Sequence, residues 1–267
     1  NSVLAAQQTN KAKDLRSRES VGDLSHYFAD QEEAELAELE EVAFVGSSAT
    51  QARKSALTLH EPRLETPGRP EAASSLYEDF EAWAEEWMGF QPFPWQERVA
   101  RRALETDKDG NLLWPIVVVT VPRQCGKSYL LSAICGYRIH QAERFGEPQV
   151  VLQTASNRSI SRAIWRRGAR ILEKRAPDPV MVRWSNGQES IELPDDSEWR
   201  LTAAKTSAIP GLSVSMVFVD EAWSVEEEVV EAAIMPTMAM RQQTQMWLVS
   251  TAGDSKSKLM AKYRQLA

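Results

Sequence analysis

The run Pro115-Ile116-Val117-Val118-Val119-Thr120-Val121 constrains this chain more than any other segment. β-Branched side chains crowd the preceding turn of a helix and suit an extended, pleated backbone. The run is apolar on both faces, the pattern of a strand buried in a parallel sheet. A parallel strand needs a crossover to reach its neighbour. The sequence supplies one: a glycine-containing turn, then a helix expected from about Lys127 to Glu143. Further strands are expected at 149–154, 191–193, 199–203, 214–219 and 246–251, with helices at 94–104, 159–175 and 225–240. Strands alternating with helices predict an α/β fold, a mainly parallel sheet with helices on both faces.

The 267 residues suffice for one such domain plus an extension, and 43% hydrophobic content supports a substantial core. Residues 76–267 are assigned to the domain. Residues 1–75 are read as an acidic N-terminal extension and linker. Within it, residues 28–44 favour a solvated acidic helix with a thin apolar face, and 46–75 are rich in Ser, Thr, Ala and Pro. The net charge of −7 is uneven: residues 1–91 carry 8 basic and 18 acidic side chains, residues 92–267 carry 23 and 20. A nucleic-acid surface would therefore be a local patch. No apolar run approaches the ~20 residues that span a bilayer. Asn1-Ser2-Val3 has the character of a trimmed end, without the basic and apolar regions of a signal peptide. Two cysteines, Cys125 and Cys135, exclude a disulfide scaffold and suit a reducing, intracellular setting.

Between the strand and the helix lies Val121-Pro122-Arg123-Gln124-Cys125-Gly126-Lys127-Ser128. It matches the phosphate-loop pattern G-x-x-x-x-G-K-[ST] at Gly126, Lys127 and Ser128, with Val121 in place of the first glycine. Main-chain N–H groups of such a loop point at a triphosphate, and the glycine admits close approach. Lys127 brings a point charge to the β and γ phosphates, and the Ser128 hydroxyl is a Mg2+ ligand candidate. The plainer reading is a strand–turn–helix corner with an exposed lysine.

A second element narrows the choice. Ser215-Met216-Val217-Phe218-Val219-Asp220-Glu221 is an apolar strand ending in two carboxylates. A parallel strand delivers Asp220 at its C-terminal edge, where open α/β sheets bind ligands. Asp220 is expected to hold Mg2+, and Glu221 to orient and deprotonate the attacking water of an ATP hydrolysis. Pure nucleotide binding would need no such base. Gln96 could read an adenine edge, and Trp95 could pack near the base or serve as core. Arg123 could neutralise the γ-phosphate or pair with a neighbouring acid. Ser250-Thr251-Ala252-Gly253 ends another strand, either as a γ-phosphate sensor or as an ordinary loop.

These residues together resemble the ATPase domain of tailed-phage large terminase subunits: Pro122 to Ser128, then Gly211-Leu212-Ser213 leading into Val217 to Trp223, then Ser250 to Gly253. The resemblance covers about residues 90–255. It implies a P-loop NTPase of the additional-strand, catalytic-glutamate class, a ring motor that uses ATP and Mg2+ to pump double-stranded viral DNA into a procapsid. It implies a portal protein and a small terminase subunit as partners, and a viral protein acting in the host-cell cytoplasm. By the same resemblance, Pro122, Arg123, Gln124, Cys125, Gly126, Lys127 and Ser128 form the nucleotide loop, and Arg123 contacts phosphate. Gln96 falls in an adenine-recognition motif. Ser250, Thr251 and Gly253 form a motif coupling hydrolysis to movement. A nuclease domain normally follows in this family. With 14 residues after Gly253, nuclease activity is not expected of this chain.

Arg158, Arg162, Arg166, Arg170 and Lys174 recur every four residues, giving one slanting basic stripe on a helix. It reads as a solvated face, as a surface for DNA phosphates, or as a face toward the next subunit's nucleotide. Arg158, Arg162 and Arg200 are the candidates for an arginine donated in trans. Cys125, at a helix N-terminus near Lys127, is expected to be a reactive thiol. Two rival functions remain at this point: a helicase-type nucleic-acid-dependent ATPase, and a nucleotide-gated assembly protein with little turnover.

Overall fold

The computed structural model describes residues 62–176, 180–205, 209, 211–253 and 257–266. The acidic stretch at 28–44 and most of the linker at 46–75 lie outside them. Packing begins just ahead of residue 76: Ala73 N–H donates to the Thr106 carbonyl, and β1 (Ser74–Ser75) pairs antiparallel with β2 (Glu105–Thr106). Between these strands lie α1 (Tyr77–Met88) and α2 (Pro94–Ala103).

The main sheet has seven strands. They are β3 (Ile116–Thr120), β4 (Val150–Ala155), β5 (Met181–Arg183), β6 (Ser190–Glu192), β7 (Glu198–Ala203), β8 (Met216–Asp220) and β9 (Gln245–Ser250), in the order β3-β9-β8-β4-β7-β6-β5. The first five in that order pair in parallel, and the β7-β6-β5 end is antiparallel. The mainly parallel sheet expected from the sequence is therefore what forms. β9 lies between β3 and β8, so one additional strand separates the loop-bearing strand from the strand that ends in Asp220.

Helices cover both faces. On one face α1, α3 (Lys127–Ile139) and α5 (Arg158–Arg175) bury Phe80, Leu130, Ile134, Trp165 and Leu172 against Phe218, Trp247 and Trp199. On the other, Val217, Val219, Met246 and Leu248 meet Val230, Ile234, Leu259 and Met260. The alternation along β8 sorts its side chains: Val217 and Val219 face the second layer, Met216 and Phe218 the first. Asp220 continues the Met216 and Phe218 register, which puts it on the face that α3 covers.

Three expectations need correction. β3 is an edge strand, paired only with β9 among the described residues, and Ile116, Val117 and Val118 are only half-buried. Its two-faced apolarity reflects packing by neighbouring elements. α3 stops at Ile139 because His140 turns back: its Nδ1–H donates to the Gly136 carbonyl at 2.7 Å, replacing the next main-chain N–H. A short α4 (Ala142–Phe145) follows. The helix expected at 225–240 is a π-helical turn, Val229–Ile234, running into α6 (Met235–Met238). Pro236 has no N–H to offer the Ala232 carbonyl, so the ordinary helical ladder cannot run through. A final helix, α7 (Lys258–Leu266), packs Leu259, Met260 and Tyr263 into the second layer.

Candidate nucleotide site

The loop between β3 and α3 is built from its carbonyls. Trp95 Nε1–H donates to the Cys125 carbonyl at 3.0 Å, and Gln96 Nε2–H to the Gly126 carbonyl at 2.8 Å. In a trans peptide the C=O and the following N–H point in opposite directions. Drawing these two carbonyls toward α2 therefore turns the N–H groups of Gly126 and Lys127 away from α2, toward the loop's interior. Gln96 is itself fixed, because its Oε1 accepts the Phe93 N–H at 2.7 Å and its side chain is fully buried. Its amide thus braces the loop. Any adenine contact would have to use its remaining proton or lone pair.

Gly126 has φ +86°, a backbone conformation that favours glycine. A Cβ there would come 3.0 Å from Gln96 Nε2 and 3.1 Å from the Phe93 ring. Both the turn and the close approach of α2 thus require glycine. Gln124 also has positive φ, at 59°. Pro122, Arg123, Gln124 and Ser128 are exposed, while Cys125 and Lys127 are half-buried. Lys127 Nζ donates to the Pro122 carbonyl at 3.3 Å, curling over the loop. Arg123 makes no ion pair with a described acid. Cys125 Sγ lies 3.5 Å from the Arg123 carbonyl.

Asp220 sits at the end of β8, 4% exposed. Burial pushes its carboxyl up to about 6, and the neighbouring Glu221 charge adds to this. The Glu221 N–H, donating to Oδ1 at 2.9 Å, and the Lys127 charge pull the other way. A carboxylate so poorly solvated is stabilised by a cation placed against it. Glu221 has φ +48°, in the left-handed region that costs a side-chain-bearing residue energy. Its Oε2 accepts Trp223 Nε1–H at 2.7 Å, and its carbonyl accepts the Ser224 hydroxyl at 2.9 Å.

The tip of β9 adjoins both neighbours. The Ser250 carbonyl accepts the Val121 N–H at 3.1 Å, where β3 passes into the loop. The Ser250 Oγ accepts the Trp223 N–H at 3.1 Å, just beyond β8. Thr251 is half-buried and Gly253 exposed, with φ +71°. The sheet thus brings together the loop, the Asp220-Glu221 pair and the Ser250 segment at the C-terminal ends of three adjacent parallel strands.

The candidate trans arginines lie elsewhere and are engaged within the chain. Arg158 pairs with Glu189 and donates to Asn186 Oδ1 at 2.6 Å. Arg162 Nε lies 2.7 Å from Glu189 Oε1, an ion pair whose N–H is not aimed along the line of a hydrogen bond. Glu189 is fully buried. Arg200 pairs with Glu198 at 2.8 Å. Farther along α5, Arg167 lies over the Tyr129 ring at 4.1 Å, while Arg170 and Lys174 are exposed. The basic stripe is therefore divided between internal pairing and solvent. Sequence reasoning missed Glu189 and the indole hydrogen bonds of Trp95 to the loop and of Trp223 to Glu221. An acid among short strands and a tryptophan beside a motif carry no periodic signal.

The chain is similar to known proteins in family and in fold. Residues 118–263 match the family model described as "Terminase large subunit, T4likevirus-type, N-terminal". The fold is similar to the large terminase of bacteriophage HK97, with a TM-score of 0.62 at 16% identity over 72% of this chain. The chain spans 41% of that protein's length. The large terminase ATPase domain of Thermus phage P74-26 aligns with a TM-score of 0.49 at 19% identity, over 64% of this chain and 68% of that domain. Curated protein sequences give no match.

Proposed function

Because the chain belongs to the terminase large-subunit family through its match to the T4-like-virus-type N-terminal region, we propose that it is a Mg2+-dependent ATPase powering double-stranded DNA translocation into a viral procapsid. The observation that supports this reading is the convergence of the loop after β3, the buried Asp220 at the end of β8 and the Ser250 segment of β9 at the C-terminal ends of three adjacent parallel strands. A buried acid of that kind fits a divalent cation, and Asp220 with the Ser128 hydroxyl would hold it. Bound Mg2+ would neutralise charge on the β and γ phosphates.

The chain's own groups supply the rest. The Gly126 and Lys127 N–H groups and the α3 N-terminus receive phosphate oxygens, with Lys127 Nζ turning from the Pro122 carbonyl to the β and γ phosphates. Glu221 takes the proton of the attacking water as an oxygen–phosphorus bond forms and ADP leaves. Arg123, exposed in the loop, meets the γ-phosphate charge. An arginine from a neighbouring chain would complete the site in a ring. For Arg158, Arg162 or Arg200 to serve, each would have to leave its Glu189 or Glu198 partner. The portal protein, the small terminase subunit and a host-cell cytoplasmic location belong to the same proposal.

The test is ATP turnover per chain against protein concentration, with and without blunt duplex DNA. A rate per chain that climbs with concentration or with duplex DNA is expected of a motor completed by its neighbours. Stimulation by single-stranded DNA alone would favour a helicase-type ATPase. Turnover unchanged in Glu221→Gln would remove the catalytic assignment.

A further inference from the structure

The Glu221 carboxylate hangs on three rotatable bonds from a residue with left-handed backbone, so its direction depends on what it touches. Among the described residues, the side chain that donates to it is Trp223, whose Nε1–H reaches Oε2 across 2.7 Å. A short bond to an ionised acceptor is strong and directional. Trp223 in turn is held from the other side. Its own N–H donates to Ser250 Oγ, a side chain fully buried at the tip of β9. Gly253 closes over it: a Cβ at 253 would come 2.9 Å from Trp223 Cβ and 2.6 Å from Ser257 Oγ, so the loop lies against Trp223 with no room for a larger residue. A second strap ties Glu221 to the same turn through the Ser224 hydroxyl on its carbonyl.

We propose that Trp223 is the positioning residue of the base: it sets the direction of the Glu221 carboxylate and takes its own place from Ser250 and Gly253. This rests on the ATPase reading above. It makes that reading specific, because movement at the β9 tip reaches the base through one indole. Phosphate sensed at β9 and water activation at Glu221 then become a single mechanical unit. A displaced β9 tip leaves the nucleotide bound and the base misdirected.

The experiment compares Trp223→Phe, Ser250→Ala, Glu221→Gln and the Glu221→Gln/Trp223→Phe double variant with the unaltered chain. ATP turnover is read beside the Kd of a fluorescent ATP analogue. Trp223→Phe keeps an aromatic ring, though a smaller one, and removes the donor. Its kcat is expected to fall about ten- to a hundredfold, as for other residues that orient a functional group, with Kd changed less than about threefold. Ser250→Ala is expected to lower kcat in the same sense, and Trp223→Phe is expected to cost nothing further once Glu221 is Gln. Unchanged or raised kcat in Trp223→Phe would overturn the proposal. So would a loss of nucleotide affinity that matches the loss of turnover, or an equal loss in the Glu221→Gln background.

One readout does not depend on turnover. In 15N-labelled protein, the indole resonance that vanishes in Trp223→Phe is expected to shift in both Glu221→Gln and Ser250→Ala. An indole resonance indifferent to both also overturns the proposal. If the indole responds but Glu221→Gln turns over ATP as fast as the unaltered chain, the ATPase assignment fails and takes the catalytic role of Trp223 with it.

Discussion

Gln96 and Gly126, thirty residues apart, are joined by a 2.8 Å hydrogen bond from a buried side-chain amide to a loop carbonyl. With Gly126 at φ +86° and no room for a Cβ beside the same amide, helix and loop are shaped to each other. Gln96→Ala is expected to leave the sheet intact and release the Gly126 carbonyl from α2, leaving it to the Tyr129 and Leu130 N–H groups of α3. Nucleotide affinity should fall about tenfold, the size of one or two lost hydrogen bonds. Trp95→Phe, losing the one bond to the Cys125 carbonyl and part of the ring, should fall less. Calorimetric titration with a non-hydrolysable ATP analogue measures both.

Asp220 ties stability to pH in the direction opposite to a surface acid. Its folded pKa, about 6, lies above the ordinary value of 3.8. The protonated form is therefore favoured by folding, and that advantage is complete below pH ~4 and lost as pH rises through ~6. The difference amounts to about 3 kcal/mol at neutral pH. Asp220→Asn, which carries no charge to bury, should raise the Tm of the nucleotide-free chain at pH 7 while abolishing turnover. The gain should vanish on titration to pH 4. Thermal melts of both chains across pH 4–8 measure it.

Cys125 lies in the loop, half-buried, with its carbonyl held by Trp95 and its neighbour Gly126 at the start of α3. Alkylation should block turnover, and saturating ATP should slow the labelling at least tenfold. Cys135, fully buried with its thiol pushed up by burial, should not react in the folded chain. Mass spectrometry of labelled peptides with and without nucleotide distinguishes the two.

Glu189 carries two arginines on one buried carboxylate. Glu189→Gln leaves both guanidinium groups without their counter-charge. Because their side chains are 25% and 20% exposed, water offsets part of the loss. Destabilisation of about 2 kcal/mol is expected, below the 3–5 typical of a fully buried broken pair, and a Tm drop of about 4–8 °C. Arg158→Ala and Arg162→Ala should lower Tm in the same direction, each by less, since one arginine remains.

The parallel half of the sheet was legible because its signals are local and chemical. The β-branched run ends in Gly126-Lys127-Ser128, and the apolar run of β8 ends in two acids. Asn157 caps α5, its side chain accepting the Ser159 N–H, close to the start expected for that helix. What was not legible depends on partners distant in sequence. β5 has three residues, and β1 and β2 have two each, so they are strands only because a neighbour pairs with them. The early stop of α3 comes from one histidine ring turned onto a carbonyl. In the site, the loop and the carboxylates announce themselves by residue type. The bonds that aim them, from Trp95, Gln96 and Trp223, connect residues whose sequence context is ordinary.

The strand inserted between β3 and β8 also fixes a length. Parallel neighbours lie ~4.8 Å apart, so the loop strand and the acid strand stand ~10 Å from each other, with β9 as the spacer. Thr120 is level with Ser250, and Asp220 with Val249. A triphosphate with its metal needs a gap of this order. The strand that holds the gap open also carries Ser250, whose hydroxyl accepts the Trp223 N–H. Sliding β9 by one residue would reverse which face each of its side chains presents and remove the seryl hydroxyl from Trp223. One strand therefore fixes two things: its presence sets the spacing of the site, and its register sets whether the seryl hydroxyl meets the Trp223 N–H.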